Sequence, residues 1–160
     1  NFDIKDIAAN PIISDGKAYT LSNNGRLIAT NIINGSLAWS LEISGANSPI
    51  ISNAQLYVID NEARLICVNK VSGKIYWITQ LEKNKKGKKA GKNNNWKGPY
   101  LINRILYALS SHGEVVSISP LTSEILSNKN INISGIAIDP VITSKNIFIA
   151  DNKSNIYKLD

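Results

Sequence analysis

The chain has 160 residues, 43% of them hydrophobic, and a formal net charge of +6. It is long enough to bury a real core, and no apolar stretch approaches the eighteen or so residues that a membrane-spanning helix needs. A single cysteine excludes an intramolecular disulfide, and one cysteine with one histidine cannot build a transition-metal site of the usual kind.

Four short apolar runs open the chain: Pro11 to Ile13, Lys17 to Leu21, Arg26 to Thr30 and Leu37 to Leu41. Asp15-Gly16, Asn24-Gly25 and Asn34-Gly35 separate them, and such pairs between apolar runs are strong hairpin signals because both residues tolerate positive φ. A four-stranded antiparallel meander is predicted. The plan returns with Pro49 to Ile51, Leu56 to Ile59, Arg64 to Val68 and Lys74 to Ile78, and Pro11, Tyr19, Gly25 and Trp39 find partners at Pro49, Tyr57, Ala63 and Trp77, each shifted by 38. The frame recurs at Pro99, Tyr107 and Gly113, then at Pro140, Phe148 and Ser154.

The repeat units are about 8–44, 45–82, 96–132 and 136–160, with an insert at 83–97. No stretch has helical periodicity, so the predicted class is all-β. Leu65-Ile66-Cys67-Val68 is apolar at successive positions, which implies sheets covered on both faces. Such sheets repeating at roughly forty residues fit the blades of a β-propeller. Within that run Cys67 reads as a small buried hydrophobe rather than a reactive thiol.

Gly25 to Ala29 followed by Asn34-Gly35-Ser36-Leu37-Ala38-Trp39 resembles the blade repeat shared by quinoprotein dehydrogenases and their non-enzymatic relatives. Three further stretches are similar to the BamB family, the propeller lipoproteins of the outer-membrane β-barrel assembly machinery, in its alphaproteobacterial form. They are Asp6 to Pro11, Trp77 to Leu81 with the lysine-rich insert after it, and Trp96 to Pro99 leading into Leu109 to Glu114. The resemblance implies about half of an eight-bladed propeller, namely its C-terminal half. The chain contains no methionine, so residue 1 is not expected to be the translational start, and the resemblance implies a signal sequence, a lipidated cysteine and earlier blades upstream. Phe2 to Ile7 sits where the frame places a fourth strand, so the chain is either an open arc that self-associates through its blade faces or a small closed ring. The arc is favoured, because blades of larger rings are wedged for a wider circle.

Charge is concentrated in the insert, where residues 83–97 hold seven lysines and no acid, leaving −1 for the rest of the chain. A like-charge run with Gly87, Gly91 and Asn93 to Asn95 ordinarily stays solvated. The functional alternative is contact of Lys83, Lys85, Lys86, Lys88, Lys89 and Lys92 with anionic lipid headgroups or an acidic partner. Nucleic acid is not an expected partner, since the aromatics that stack on bases are missing apart from Trp96. His112 reads as a hairpin residue, and Asp60 and Asp151 as turn carboxylates that cap backbone amides. Trp39 and Trp77 hold equal places in successive copies, which argues for blade packing rather than a cofactor floor; the third copy has Ser127 there.

The resemblance thus implies a non-enzymatic scaffold with no cofactor. It would lie in the periplasm, at the inner face of the outer membrane, and bind a POTRA domain of the barrel subunit. Asp6 matches the first carboxylate of the family's acidic contact loop, and Ala8 replaces the second. The alternative is part of a quinone-dependent dehydrogenase or another ligand-binding propeller. Those enzymes hold a quinone with calcium and, in many members, paired cysteines, a set that a lone Cys67 does not supply.

Overall fold

A computed structural model describes residues 9–23, 25–82, 95–143 and 146–159. The turn residue Asn24, the Phe2 to Ile7 segment and most of the lysine-rich insert lie outside the described residues. Within them the chain is all-β and contains no helix.

The first sheet comprises β1 (Ile12–Ser14), β2 (Lys17–Leu21), β3 (Leu27–Asn31) and β4 (Leu37–Leu41), and the second β5 (Ile50–Ser52), β6 (Gln55–Ile59), β7 (Arg64–Asn69) and β8 (Ile75–Gln80). The third holds β9 (Trp96–Ile102), β10 (Ile105–Ser110), β11 (Glu114–Ile118) and β12 (Ile125–Asn130). The described part of the fourth holds β13 (Val141–Ile142), β14 (Ile147–Ala150) and β15 (Ile156–Leu159). Every sheet is an antiparallel meander with its strands in chain order.

The sequence repeat is repeated in the register. One row across the first sheet reads Ile12, Tyr19, Ala29, Trp39. Its counterparts are Ile50, Tyr57, Cys67, Trp77 and then Tyr100, Tyr107, Ser117, Ser127. In all three sheets the pairing of the last two strands slips just after this row, between Ala29 and Thr30, Cys67 and Val68, and Ser117 and Ile118.

The turns follow the same frame. Asp15 and Gly16 both take positive φ, at 49° and 69°, as do Asn103 and Arg104 in the third sheet. This mirror-image turn matches the right-handed twist of the strands it joins. At the next turn Gly25, Ala63, Gly113 and Ser154 stand at equivalent places, all with positive φ. Ala63 and Ser154 take this positive φ, at 56° and 63°, although neither is glycine.

The chain divides into two compact units, Asn1–Leu81 and Glu82–Asp160. In the first, alternate residues of β2, β3, β6 and β7 (Tyr19, Leu21, Leu27, Ala29, Leu56, Val58, Ile66 and Val68) form one core, with Trp39 and Leu41 packed on it. The intervening residues of the second sheet, Tyr57, Ile59, Leu65 and Cys67, are buried too, so that sheet is covered on both faces. In the second unit Ile102, Leu109, Val115, Ile147 and Ile149 form a core with Tyr100, Tyr107 and Tyr157 against it.

Hydrogen bonds in the first unit join positions one repeat apart, Asn10 N–H to Ser48 Oγ at 3.1 Å and Asn61 Nδ2 to the Asn23 carbonyl at 3.0 Å and Oδ1 at 3.1 Å. Adjacent blades are therefore stitched at matching points of the frame.

Candidate functional site

The aromatic row shows where Trp39 and Trp77 act. Tyr19 and Trp39 lie with ring centroids 5.9 Å apart at 45°, and Tyr57 and Trp77 repeat the same distance and angle. Trp39 reaches out of its own sheet: its indole N–H donates to the Lys70 carbonyl at 2.9 Å, and the Tyr19 hydroxyl donates to the same oxygen at 3.1 Å. The Trp39 ring covers Gly73, where a Cβ would come within 2.9 Å of ring carbon and the φ of +75° disfavours any other residue. Glycine is required there because the neighbouring blade lays an indole on the backbone.

Lys70 also returns the contact. Its ammonium meets the Asp15 carboxylate at 2.6 Å and the Ser14 hydroxyl at 3.1 Å, on the first turn of the preceding blade. The hydrogen bond and charge of Lys70 hold the Asp15 carboxyl below its ordinary range. In the third sheet the row continues differently, with the Ser117 and Ser127 hydroxyls hydrogen-bonded at 2.7 Å where the others place a side chain against tryptophan.

A second recurring element is polar and buried. Ser22, Asp60, Ser110 and Asp151 occupy one place in the frame, at the entrance to the turn between the second and third strands, and all four are buried. Asp60 Oδ1 accepts the Glu62 and Arg64 amides, and its Oδ2 meets the Arg64 guanidinium at 2.6 Å. Asp151 accepts the Lys153 and Asn155 amides, the Asn155 side chain and the Tyr157 hydroxyl. Ser110 Oγ accepts the His112 and Glu114 amides. These groups close turns around otherwise orphaned backbone donors, as the sequence suggests for the two aspartates. Burial alone raises the Asp151 carboxyl, but donors from Asn155, Lys153 and Ser134 outweigh it and hold it well below the carboxylate range.

His112 lies in the same kind of turn, with Nδ1 3.1 Å from Ser111 Oγ. Cys67 is buried and its thiol is pushed up to about 12 by desolvation, so it is held as the neutral thiol. Trp96 is buried at the start of β9, and its indole donates to the Glu82 carbonyl at 2.9 Å. Lys97 pairs with Asp139 at 2.7 Å. Among the described residues no three His, Cys, Asp or Glu side chains gather as they would to hold a metal, and no helix is long and apolar enough to cross a membrane. Asp6, Lys83, Lys85, Lys86, Lys88, Lys89 and Lys92, the residues expected to meet partners, lie outside the described residues.

Residues 1–79 match the family model for outer membrane protein assembly factor BamB. The fold is shared with BamB from Moraxella catarrhalis at a TM-score of 0.77 and 14% identity, over 95% of this chain and 42% of that one. Over residues 1–79 the chain is BamB-like, with PQQ-type propeller repeats. Its sheets resemble the blades of BamB, and it spans less than half the length of the Moraxella protein.

The computationally designed Ika4 protein matches at a TM-score of 0.70 and 10% identity, over 97% of this chain and 91% of Ika4. The quinohemoprotein alcohol dehydrogenase from Comamonas testosteroni matches at 0.61 and 14% identity, over 79% of this chain and 21% of the enzyme. No curated protein matches the BamB-like chain by sequence.

The recurring buried acceptor was only half visible in sequence, because aspartate and serine share little beyond the ability to accept an amide hydrogen bond. Aligning the four copies at Ser22, Asp60, Ser110 and Asp151 is the signal that exposes it. The clamp between Lys70 and Asp15 has no sequence signal, as it joins turns of different blades.

Proposed function

We propose that this BamB-like chain acts as a non-catalytic scaffold in outer-membrane protein assembly, binding a POTRA domain of the barrel subunit from the periplasmic side of the outer membrane. The observation that carries this reading is the match of residues 1–79 to the BamB family model. Its side-chain chemistry supports it: the recurring polar and aromatic groups are engaged in closing turns and joining blades. A stacked, internally bonded set of sheets makes a rigid support from which loops engage a partner. In this reading Asp6 contributes one carboxylate to a charge-steered contact with the POTRA surface, and Lys83, Lys85, Lys86, Lys88, Lys89 and Lys92 lie toward anionic headgroups.

The test is binding of the purified chain to an isolated POTRA segment, followed by interferometry. Asp6→Lys is expected to weaken binding by about tenfold or more through reversal of a steering charge. Equal affinity for the wild type and the variant argues against this contact, and an absence of binding by the wild type argues against the scaffold reading.

The fold shared with the Comamonas dehydrogenase motivates a second reading, part of a quinone-binding propeller. Titration with pyrroloquinoline quinone and calcium separates the two. The scaffold reading expects no saturable quenching of Trp39 and Trp77 fluorescence, whereas stoichiometric uptake would favour the dehydrogenase branch.

A further inference from the structure

In the first unit the turns between the third and fourth strands carry exposed aliphatic residues in addition to those on its strands, such as Ile13 and Ile78. In the turn between β3 and β4, Ile33 is 89% exposed and Ile32 52%; in the matching turn between β7 and β8, Val71 is 62% exposed. Single exposed aliphatics are ordinary, but these are joined into one surface. The Ile32 amide donates to the Gly16 carbonyl at 3.1 Å, Asp15 beside Gly16 is bonded to Lys70, and Lys70 precedes Val71. The two turn tips are therefore held side by side by the blade-to-blade clamp.

The tips are also rigid. The Asn31 side chain accepts the Ile33 amide at 2.9 Å, and the Asn69 side chain accepts the amides of Val71 and Ser72 at 2.9 Å each. Each cap fixes the turn so that the aliphatic side chain projects outward. The third sheet repeats the device within the second unit, where Ser119 Oγ accepts the Thr122 amide and Leu121 is 80% exposed.

Charge in the first unit is divided between the two ends. Among its described residues the end bearing these tips carries Lys17, Lys70 and Lys74 against Asp15 alone, a net of +2. The opposite end carries Arg26 and Arg64 against Glu42, Asp60 and Glu62, a net of −1. Asp15 is held by Lys70, so no free acid opposes an approaching anionic surface at the basic end.

We propose that this end of the first unit docks on an anionic lipid surface, with Ile33 and Val71 entering the headgroup layer and Lys17 and Lys74 lying among the phosphates. The shape selects a bilayer over a folded partner. The aliphatics stand on protruding tips rather than in a groove, and a fluid surface moulds around such protrusions, whereas a protein would need a pocket for each one. Lysines beside shallowly inserted aliphatics supply the two signals that reversible membrane binding needs. The proposal does not rest on the POTRA contact.

Co-sedimentation of the full chain with phosphatidylcholine vesicles, with and without phosphatidylglycerol, tests it. Binding is expected only with phosphatidylglycerol present, and to fall by about tenfold in the double variant Ile33→Ser/Val71→Ser and again in Lys17→Glu/Lys74→Glu. Ile33 and Val71 are exposed, so that variant is expected to keep the wild-type thermal transition. A chain with the lysines at 83, 85, 86, 88, 89 and 92 changed to glutamine should still lose binding when Ile33 and Val71 are replaced, which separates this surface from the insert. Unaltered vesicle binding in the Ile33→Ser/Val71→Ser variant overturns the proposal. So does equal binding to phosphatidylcholine alone, or loss of the vesicle contact to soluble polyglutamate, which would indicate an acidic protein partner instead.

Discussion

Asp151 and Asp60 solve one problem in different company. Both are buried at the entrance of the same turn and both accept two backbone amides, but Asp60 adds the Arg64 guanidinium while Asp151 adds the Asn155 side chain and the Tyr157 hydroxyl. Since the folded-state carboxyl of Asp151 is held below its unfolded value near 3.8, its ionised form contributes stability that is complete above that value. That contribution is lost as pH falls through the lower folded value, so stability should be insensitive to this group near neutrality and decline on the acid side. Asp151→Asn keeps one oxygen for the two amides and removes the titration. It should therefore flatten the acid limb of a denaturation profile, and an unchanged limb would count against this role. Asp60→Ala strands the Glu62 and Arg64 amides, and should cost about 1–3 kcal/mol in urea unfolding at pH 7.

At the scale of the element, strand limits were largely legible. The apolar runs at Lys17 to Leu21 and Leu37 to Leu41 are β2 and β4, because short runs between Asn-Gly or Asp-Gly pairs leave little freedom in where a hairpin ends. The repeat pattern suggested blade packing for Trp39 and Trp77, but not which groups Trp39 meets. Gly73 carries no signal of its own, and the Trp39 ring lying on it shows why a side chain is barred there. Trp39→Phe keeps most of the apolar contact and loses the hydrogen bond to the Lys70 carbonyl, a change of about 1 kcal/mol. Gly73→Ala should cost more, since about 1–2 kcal/mol of backbone strain is added to displacement of the indole. Thermal unfolding of the two variants orders them; a milder effect for Gly73→Ala would mean that the ring is not held where it lies. The candidate partner residues were legible only through family resemblance, because an acidic residue such as Asp6 has no periodicity or spacing that separates a contact from a solvated charge.

At the scale of the whole chain, each compact unit carries its own core, Leu56, Val58, Ile66 and Val68 with the first sheet in one and Leu109, Ile147 and Ile149 in the other. In stacked repeats stability is close to a sum of unit and nearest-neighbour terms, so a lesion at one blade contact should stay local. Trp39→Ala removes a large ring from the first core and should cost about 3 kcal/mol there. Amide exchange is expected to lose protection in β2, β3, β6 and β7, with β10, β11 and β14 close to wild type. Cys67 gives an independent reading, since a buried thiol pushed up to about 12 reacts with a thiol reagent only when its sheet opens. Its labelling should quicken in step with exchange of the β7 amides. An even loss of protection along the chain, with Cys67 labelling tracking β10 as closely as β7, would show instead that the two cores open as one cooperative block.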